Sequence, residues 1–439
     1  MPTSTLLRPM HRPVTTFGLA ALAALAAMVA AGPAHAAPDS LLHSFSGLNG
    51  EGITPVAPLV LGTDGFLYGT TQNLGAYSAG TVFKIKPDGT GFAVLHGFPS
   101  GFPEGYAPAA AVVLDGSGNM YGTTQFGGSS NIGTIFTLRT DGSGFATVHH
   151  FAGGTTDGSS PLSALVLDSS GYLYGTTQLG GGSNSGIVFK VSTNGTGFTI
   201  LHPFAGMPDG DGPLAGVVMD PSGWLYGTTA QGGTYGWGTV FKVRSDGTGY
   251  ATLYSFTGGT SDGGYPAAGL ALGPGGVLYG ATELTGAYSS GTVFSIRTDG
   301  TGFADLYDFG GTFSDGSNPM ASLTLDLAGD LFGTTTAGGD FGLGTVFKVR
   351  TDGSGYSIVH SFAGGTADGS LPYAAVTLDT VGNLYGTTSS GGAFGSGLGT
   401  VFAIADAAPT PIPLLGGAGR VALAVGLAAA AVFVLRRRS

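Results

Sequence analysis

The sequence predicts an all-β fold, a seven-bladed β-propeller, and three observations predict it. The motif Leu-Tyr-Gly-Thr-Thr, or a close variant, recurs with its aromatic at Tyr68, Tyr121, Tyr174, Tyr226, Tyr279, Phe332 and Tyr385, a period of 52 or 53 residues. Each repeat carries four short apolar runs separated by Gly-rich turns. The ends are out of phase: the repeats open on a lone run at 41–45 and finish on three runs within 374–404. Pairing the first run with the last three completes the seventh blade and closes the ring.

The elements follow in order through the third copy. Run A, at 164–167, ends in Asp168-Ser169-Ser170-Gly171, and run B, at 172–177, follows at hairpin distance. A Gly/Ser-rich loop leads to run C at 187–191, and Asn194-Gly195-Thr196-Gly197 turns the chain into run D at 198–204. Alternating large and small residues suit strands buried on both faces between stacked sheets, and Gly at the connections suits turns that need positive φ. Radial repetition of a four-stranded sheet protects its edges, whereas an open solenoid would need polar caps that the ends lack.

Leu225 to Thr229, Gly232-Gly233 and Gly238 to Lys242 carry a family resemblance that extends over 41–405. The chain resembles the bacterial tandem-repeat proteins known as GloVer repeats, or "choice-of-anchor" proteins. The Leu-Asp-x-x-Gly-Asn-Leu-Tyr pattern across the A–B turn is similar to NHL-type propellers. Neither resemblance implies a catalytic residue; the first implies a sorting habit.

The two ends address location. Arg8 and Arg12 precede an apolar run, and Ala34-His35-Ala36 supplies a small-x-small cleavage pattern, so 1–36 reads as a secretory signal cut between Ala36 and Ala37. The absence of cysteine means that no disulfide braces the exported chain. Residues 406–413 form a Pro-rich linker, and 414–439 an apolar segment that ends on Arg436, Arg437 and Arg438. One reading is a permanent inner-membrane helix facing the propeller to the periplasm. The other is an exosortase-type sorting tail around Ile412, Pro413 and Leu414, which would leave the protein at the cell surface or outside the cell.

Within 41–405 there are nine basic and 24 acidic residues, a balance that repels phosphate backbones and argues against a nucleic-acid partner. His43, His96, His149, His202 and His360 share one place in run D, with Tyr254 and Tyr307 in the other two copies, so they read as packed blade residues and not as catalysts. Lysines and arginines in run C read as solvated stripes.

Acids divide into three sets. Two lie at the A–B and C–D turns and are turn chemistry. The third lies in the D–A connection: Glu51, Glu104, Asp157, Asp209, Asp262, Asp315 and Asp368. In a propeller this connection shares a face with the B–C loops, which bring Tyr235, Trp237, Glu283, Tyr288, Asp340 and Phe341 as departures from the repeat. Exposed aromatics beside carboxylates suit a glycan or a protein partner, and a ring of carboxylates suits Ca²⁺. No catalytic residue and no obligatory cofactor is expected, and the propeller is expected to be monomeric. The favoured class is an exported, non-enzymatic binding or scaffold protein. The alternative is an extracellular polysaccharide hydrolase or lyase, for which Glu283 with Asp262 or Asp315 is the pair to test.

Overall fold

The computed structural model describes residues 40–101, 103–312, 314–395 and 397–405. The expected leader at 1–36, linker at 406–413 and tail at 414–439 lie outside the described residues.

Seven four-stranded antiparallel sheets make up the fold. In the third, strands A to D are Val166–Leu167, Tyr172–Thr177, Ile187–Ser192 and Thr199–Pro203. The seventh takes A, B and C from Thr377–Leu378, Asn383–Thr388 and Thr400–Ala405, and its outer strand is the first of the chain, Ser40–Ser44, paired antiparallel to Thr400–Ala405. Apart from a 3-10 turn at Pro274–Gly276, regular structure among the described residues is strand.

Each residue of the repeated motif has its own task, seen in Leu67–Thr71. Leu67 is fully buried between sheets. The Tyr68 hydroxyl donates to Asp64 in the A–B turn at 2.5 Å, and the same bond recurs from Tyr174 to Asp168 and from Tyr226 to Asp220 at 3.0 Å. Gly69 lies opposite Phe83 on strand C, and a Cβ there would stand 2.5 Å from the Phe83 ring, so only glycine fits under it. Thr70 donates to the Ala110 carbonyl of the next blade at 3.1 Å. Thr71 bonds Thr81 across the sheet at 2.8 Å.

The core consists of seven clusters, each shared by two neighbouring sheets. One joins Tyr385, Val401 and Ala403 of the last sheet to Leu59, Leu67 and Phe83 of the first, and the Thr387 hydroxyl donates to Ala57 O across the same junction at 3.1 Å. Strand C lysines are not simply solvated. Lys84, Lys190 and Lys242 donate to Thr140 O, Ser245 O and Thr298 O of the following blade at 3.1–3.3 Å, with Lys84 and Lys242 also over the Phe66 and Trp224 rings. The column of Lys86, Arg139, Arg244, Arg297 and Arg350 is exposed as expected, whereas Lys84, Lys190 and Lys242 depart from it because the long stem spans the gap between blades and reaches a turn carbonyl.

Candidate functional site

Every D–A connection pairs with the B–C loop that follows it, as at Ser159↔Leu179, Asp211↔Gln231, Ser317↔Ala337 and Ser370↔Ser390, with single bridges at Ile53↔Asn73, Tyr106↔Phe126 and Gly264↔Leu284. The two loop types therefore share one face. A second feature repeats there. Thr54, Ala107, Ser160, Tyr265, Asn318 and Leu371 hold positive φ, with glycine at the seventh position, Gly212. Each is fixed between blades: Ser160 N–H donates to Ile132 O of the preceding blade, and Ser160 O accepts from Gln178 N–H of its own.

Each of the seven D–A carboxylates faces the strand D histidine or tyrosine of its own blade. His43, His96, His149, His202 and His360 place Nε2 3.0–3.6 Å from Glu51, Glu104, Asp157, Asp209 and Asp368, and Tyr254 and Tyr307 donate to Asp262 and Asp315 at 3.1 and 3.0 Å. Backbone N–H groups supply further donors: Ala152 and Gly158 to Asp157, Thr257 to Asp262, Gly310 and Gly316 to Asp315. Asp157, Asp262 and Asp315 are buried. These acids close their own loops, and among the described residues no group of three His, Cys, Asp or Glu is placed to hold a metal. Six of the seven acids accept hydrogen bonds from their own loop, their own strand D or the next blade, Glu104 being the exception among the described residues, so most of their lone pairs already have protein donors. Burial opposes ionisation of Asp209 and Asp368, yet bonds from His202 and Tyr250, and from His360 and Ala363, hold both carboxyls below the usual range. In the two glutamate copies the histidine nitrogen finds no hydrogen bond, and burial lowers the pKa of His43 and His96.

The pair expected for hydrolysis meets the same obstacle. Asp262 and Asp315 are bound acceptors, and Glu283 lies near Tyr265, with its carboxyl raised by burial. The most perturbed acid lies elsewhere: Asp305 on the outer strand Ala304–Asp308 is pushed up to about 7 by burial and by the charge of Asp308.

Aromatics on the loop face divide by exposure. Tyr235, Tyr288 and Phe341 are 57–60 % exposed, and Tyr77 and Phe394 occupy the same place in their repeats and are as open. Five of seven copies therefore carry a free ring at one loop position; Ser130 and Ser183 fill the other two. Trp237 is different, because its indole lies against Gly258, where an added Cβ would collide with it. Asp340 sits beside Phe341, its N–H donating to Ser361 at 3.2 Å. Beside these rings lies a mostly polar column of which the sequence reading singled out only Glu283. Gln72, Gln125, Gln178, Ala230, Glu283, Thr336 and Ser389 follow strand B, next to the positive-φ residues, and Gln125 reaches Ser160 of the next blade at 3.5 Å. A groove of about 350 Å³ bounded by Gln178, Asn184, Asp211, Gln231 and Tyr265 spans three blades.

A model of the Gloeobacter/Verrucomicrobia repeat matches residues 33–228 and 213–411. The chain belongs to this repeat family. No curated protein matches it. Among solved structures it is similar to the extracellular domain of a candidate one-component system of B. thetaiotaomicron, at 10 % identity and TM-score 0.53 over 84 % of this chain and 40 % of that one. A candidate 6-phosphogluconolactonase of Bacteroides uniformis has 16 % identity and TM-score 0.45 over 69 % and 83 % of the two chains. A nidogen/laminin complex has 16 % identity and TM-score 0.38 over 56 % and 76 %. At these identities the likeness is one of fold. In this member of the repeat family, that column and the positive-φ one next to it could have been found as two variable columns, one directly after the invariant second Thr of strand B and one directly before the invariant Pro of the D–A connection.

Proposed function

We propose that this repeat protein is an exported, non-catalytic binding propeller whose loop face takes an uncharged glycan. The column of open rings at Tyr77, Tyr235, Tyr288, Phe341 and Phe394 carries the reading, since exposed aromatics on one face present flat apolar surface to sugar rings. Amide and hydroxyl side chains at Gln72, Gln125, Gln178, Thr336 and Ser389 would supply hydrogen bonds from the column beside them. The excess of 24 acids over nine bases in 41–405 disfavours anionic polysaccharides. Export rests on the leader at 1–36, with the segment at 414–439 acting as anchor or sorting tail, and the extracellular domain among the solved relatives accords with it.

A glycan array with the full chain tests the reading. The triple substitution Tyr235→Ala, Tyr288→Ala and Phe341→Ala should weaken binding about tenfold or more while leaving the melting temperature unchanged, because those rings touch little else. An array with no hit, or a triple variant that binds as the parent does, overturns it.

A further inference from the structure

In six of the seven blades the strand D histidine or tyrosine that faces the loop carboxylate is covered by one aromatic ring from the next blade. His43 stacks on Phe92, His96 on Phe145, His149 on Phe198, His202 on Tyr250, Tyr254 on Phe303 and Tyr307 on Tyr356, with centroids 3.4–4.1 Å apart and planes within 10°. The covering ring precedes its own strand D residue by four positions. The residue four before His43 in the sequence is Asp39, which carries no ring and lies outside the described residues. The repeat therefore brings no ring to His360. A cavity of about 170 Å³ lies there, lined by Leu41, His360, Ala367, Asp368, Phe402 and Ile404. Phe402 is 5 % exposed, whereas Phe83, Phe136, Phe189, Phe241, Phe294 and Phe347, its equivalents, are fully buried. A cavity of about 150 Å³ holds a benzene ring.

Two of the six covered copies show what a hydroxyl adds. Tyr250 donates to Asp209 Oδ1, and Tyr356 donates at 2.6 Å to Asp315 Oδ1, an oxygen that also accepts Gly316 N–H at 2.8 Å. Asp368 Oδ1 accepts the corresponding Gly369 N–H at 2.7 Å, while Oδ2 takes His360 and Ala363 N–H at 3.2 and 2.8 Å. A carbonyl-type oxygen has two lone pairs, so Oδ1 retains capacity for one more donor.

We propose that this slot is a binding site for a small single-ring phenol, whose ring stacks on His360 against Phe402 and whose hydroxyl donates to Asp368 Oδ1. The six occupied copies are its template. It is independent of the loop-face glycan reading, since it lies between outer strands and uses none of the open rings.

The test is titration of the full chain with p-cresol, followed by the imidazole NMR signals of His360. Saturable shifts are expected there and at none of the other seven histidines. Toluene should bind about tenfold more weakly, because it cannot donate to the carboxylate. Asp39→Phe, which writes in the ring found at Phe92 and Phe145, should abolish p-cresol binding and raise the melting temperature. Asp368→Asn should narrow the preference for p-cresol over toluene. Failure of p-cresol to move His360, or unchanged p-cresol binding in Asp39→Phe, overturns the proposal. Binding of N-acetyltyrosinamide without binding of p-cresol would also overturn it, in favour of a partner's tyrosine.

Discussion

Carboxylates hold both faces of this ring, but they hold them differently. On the turn face Asp88, Asp141, Asp246, Asp299 and Asp352 are fully exposed, and each accepts the hydroxyl and N–H of a residue two positions on, as Thr301 does to Asp299 at 2.7 and 2.9 Å. Those bonds, hydroxyl first, keep the carboxyls below their usual range. On the loop face Asp315 gathers Tyr307 from strand D, Gly310 and Gly316 from its loop, and Tyr356 from the next blade. Water can replace the donors of an exposed turn acid. It cannot reach four donors around a buried one, so the same residue type is dispensable on one face and structural on the other.

The most severe test removes an anchor on the loop face together with its strand. Deleting 40–45 takes away Ser40–Ser44, the fully buried Phe45, and His43 with its stack on Phe92. Thr400–Ala405 is then left as an unpaired edge and the junction of last and first sheets loses its core, so the cooperative thermal transition should fall by about 10 °C or more. A truncated protein that melts with the parent would show that the last sheet needs no fourth strand.

A smaller and more pointed comparison sets Asp315→Ala against Asp299→Ala. The first strands two buried hydroxyls and two N–H groups, and should cost about 3 kcal/mol or more in urea unfolding. The second should leave the midpoint where it was. Equal effects from the two would erase the distinction between faces.

Much of this was legible in the sequence, for a physical reason. A strand repeated at a fixed period must pack alike in every copy, so the sheets, the Gly under Phe83 and the Asp turns are visible as columns. Pairings between columns are less visible. His149 and Asp157 stand eight residues apart across the end of a strand, and His149 meets Phe198 only because the ring brings the next blade alongside. The acids consequently read as free ligands when they are bonded caps. Single departures were the other loss. Asp305 occupies a place held elsewhere by Leu41, Val94, Thr147, Ile200, Thr252 and Ile358, a charge in a column of aliphatic residues and threonines, and it matches neither class of acid.

Asp305 gives the smallest effect and the sharpest contrast, because one of its carboxylate oxygens is buried without a donor. Its Oδ1 is buried and unpartnered, while its neighbour Asp308 takes the Ala287 N–H at 2.7 Å. Burial first, and the Asp308 charge second, push Asp305 up to about 7. The unfolded chain ionises this group near pH 4 and the folded one only near pH 7, so the protonated form is favoured by folding. Below pH 4 both states are protonated and the group costs nothing. Between pH 4 and 7 the unfolded state alone releases its proton, and stability falls as pH rises; above pH 7 the full cost remains. Asp305→Asn removes the titration while keeping the shape. At pH 8 it should unfold about 1–2 kcal/mol harder than the parent, the full shift being reduced by partial solvent access and by sharing of the proton with Asp308. Near pH 4 the gain should vanish. A parent and variant with parallel stability profiles from pH 4 to 8 would mean that Asp305 ionises as freely as the acids of the turn face.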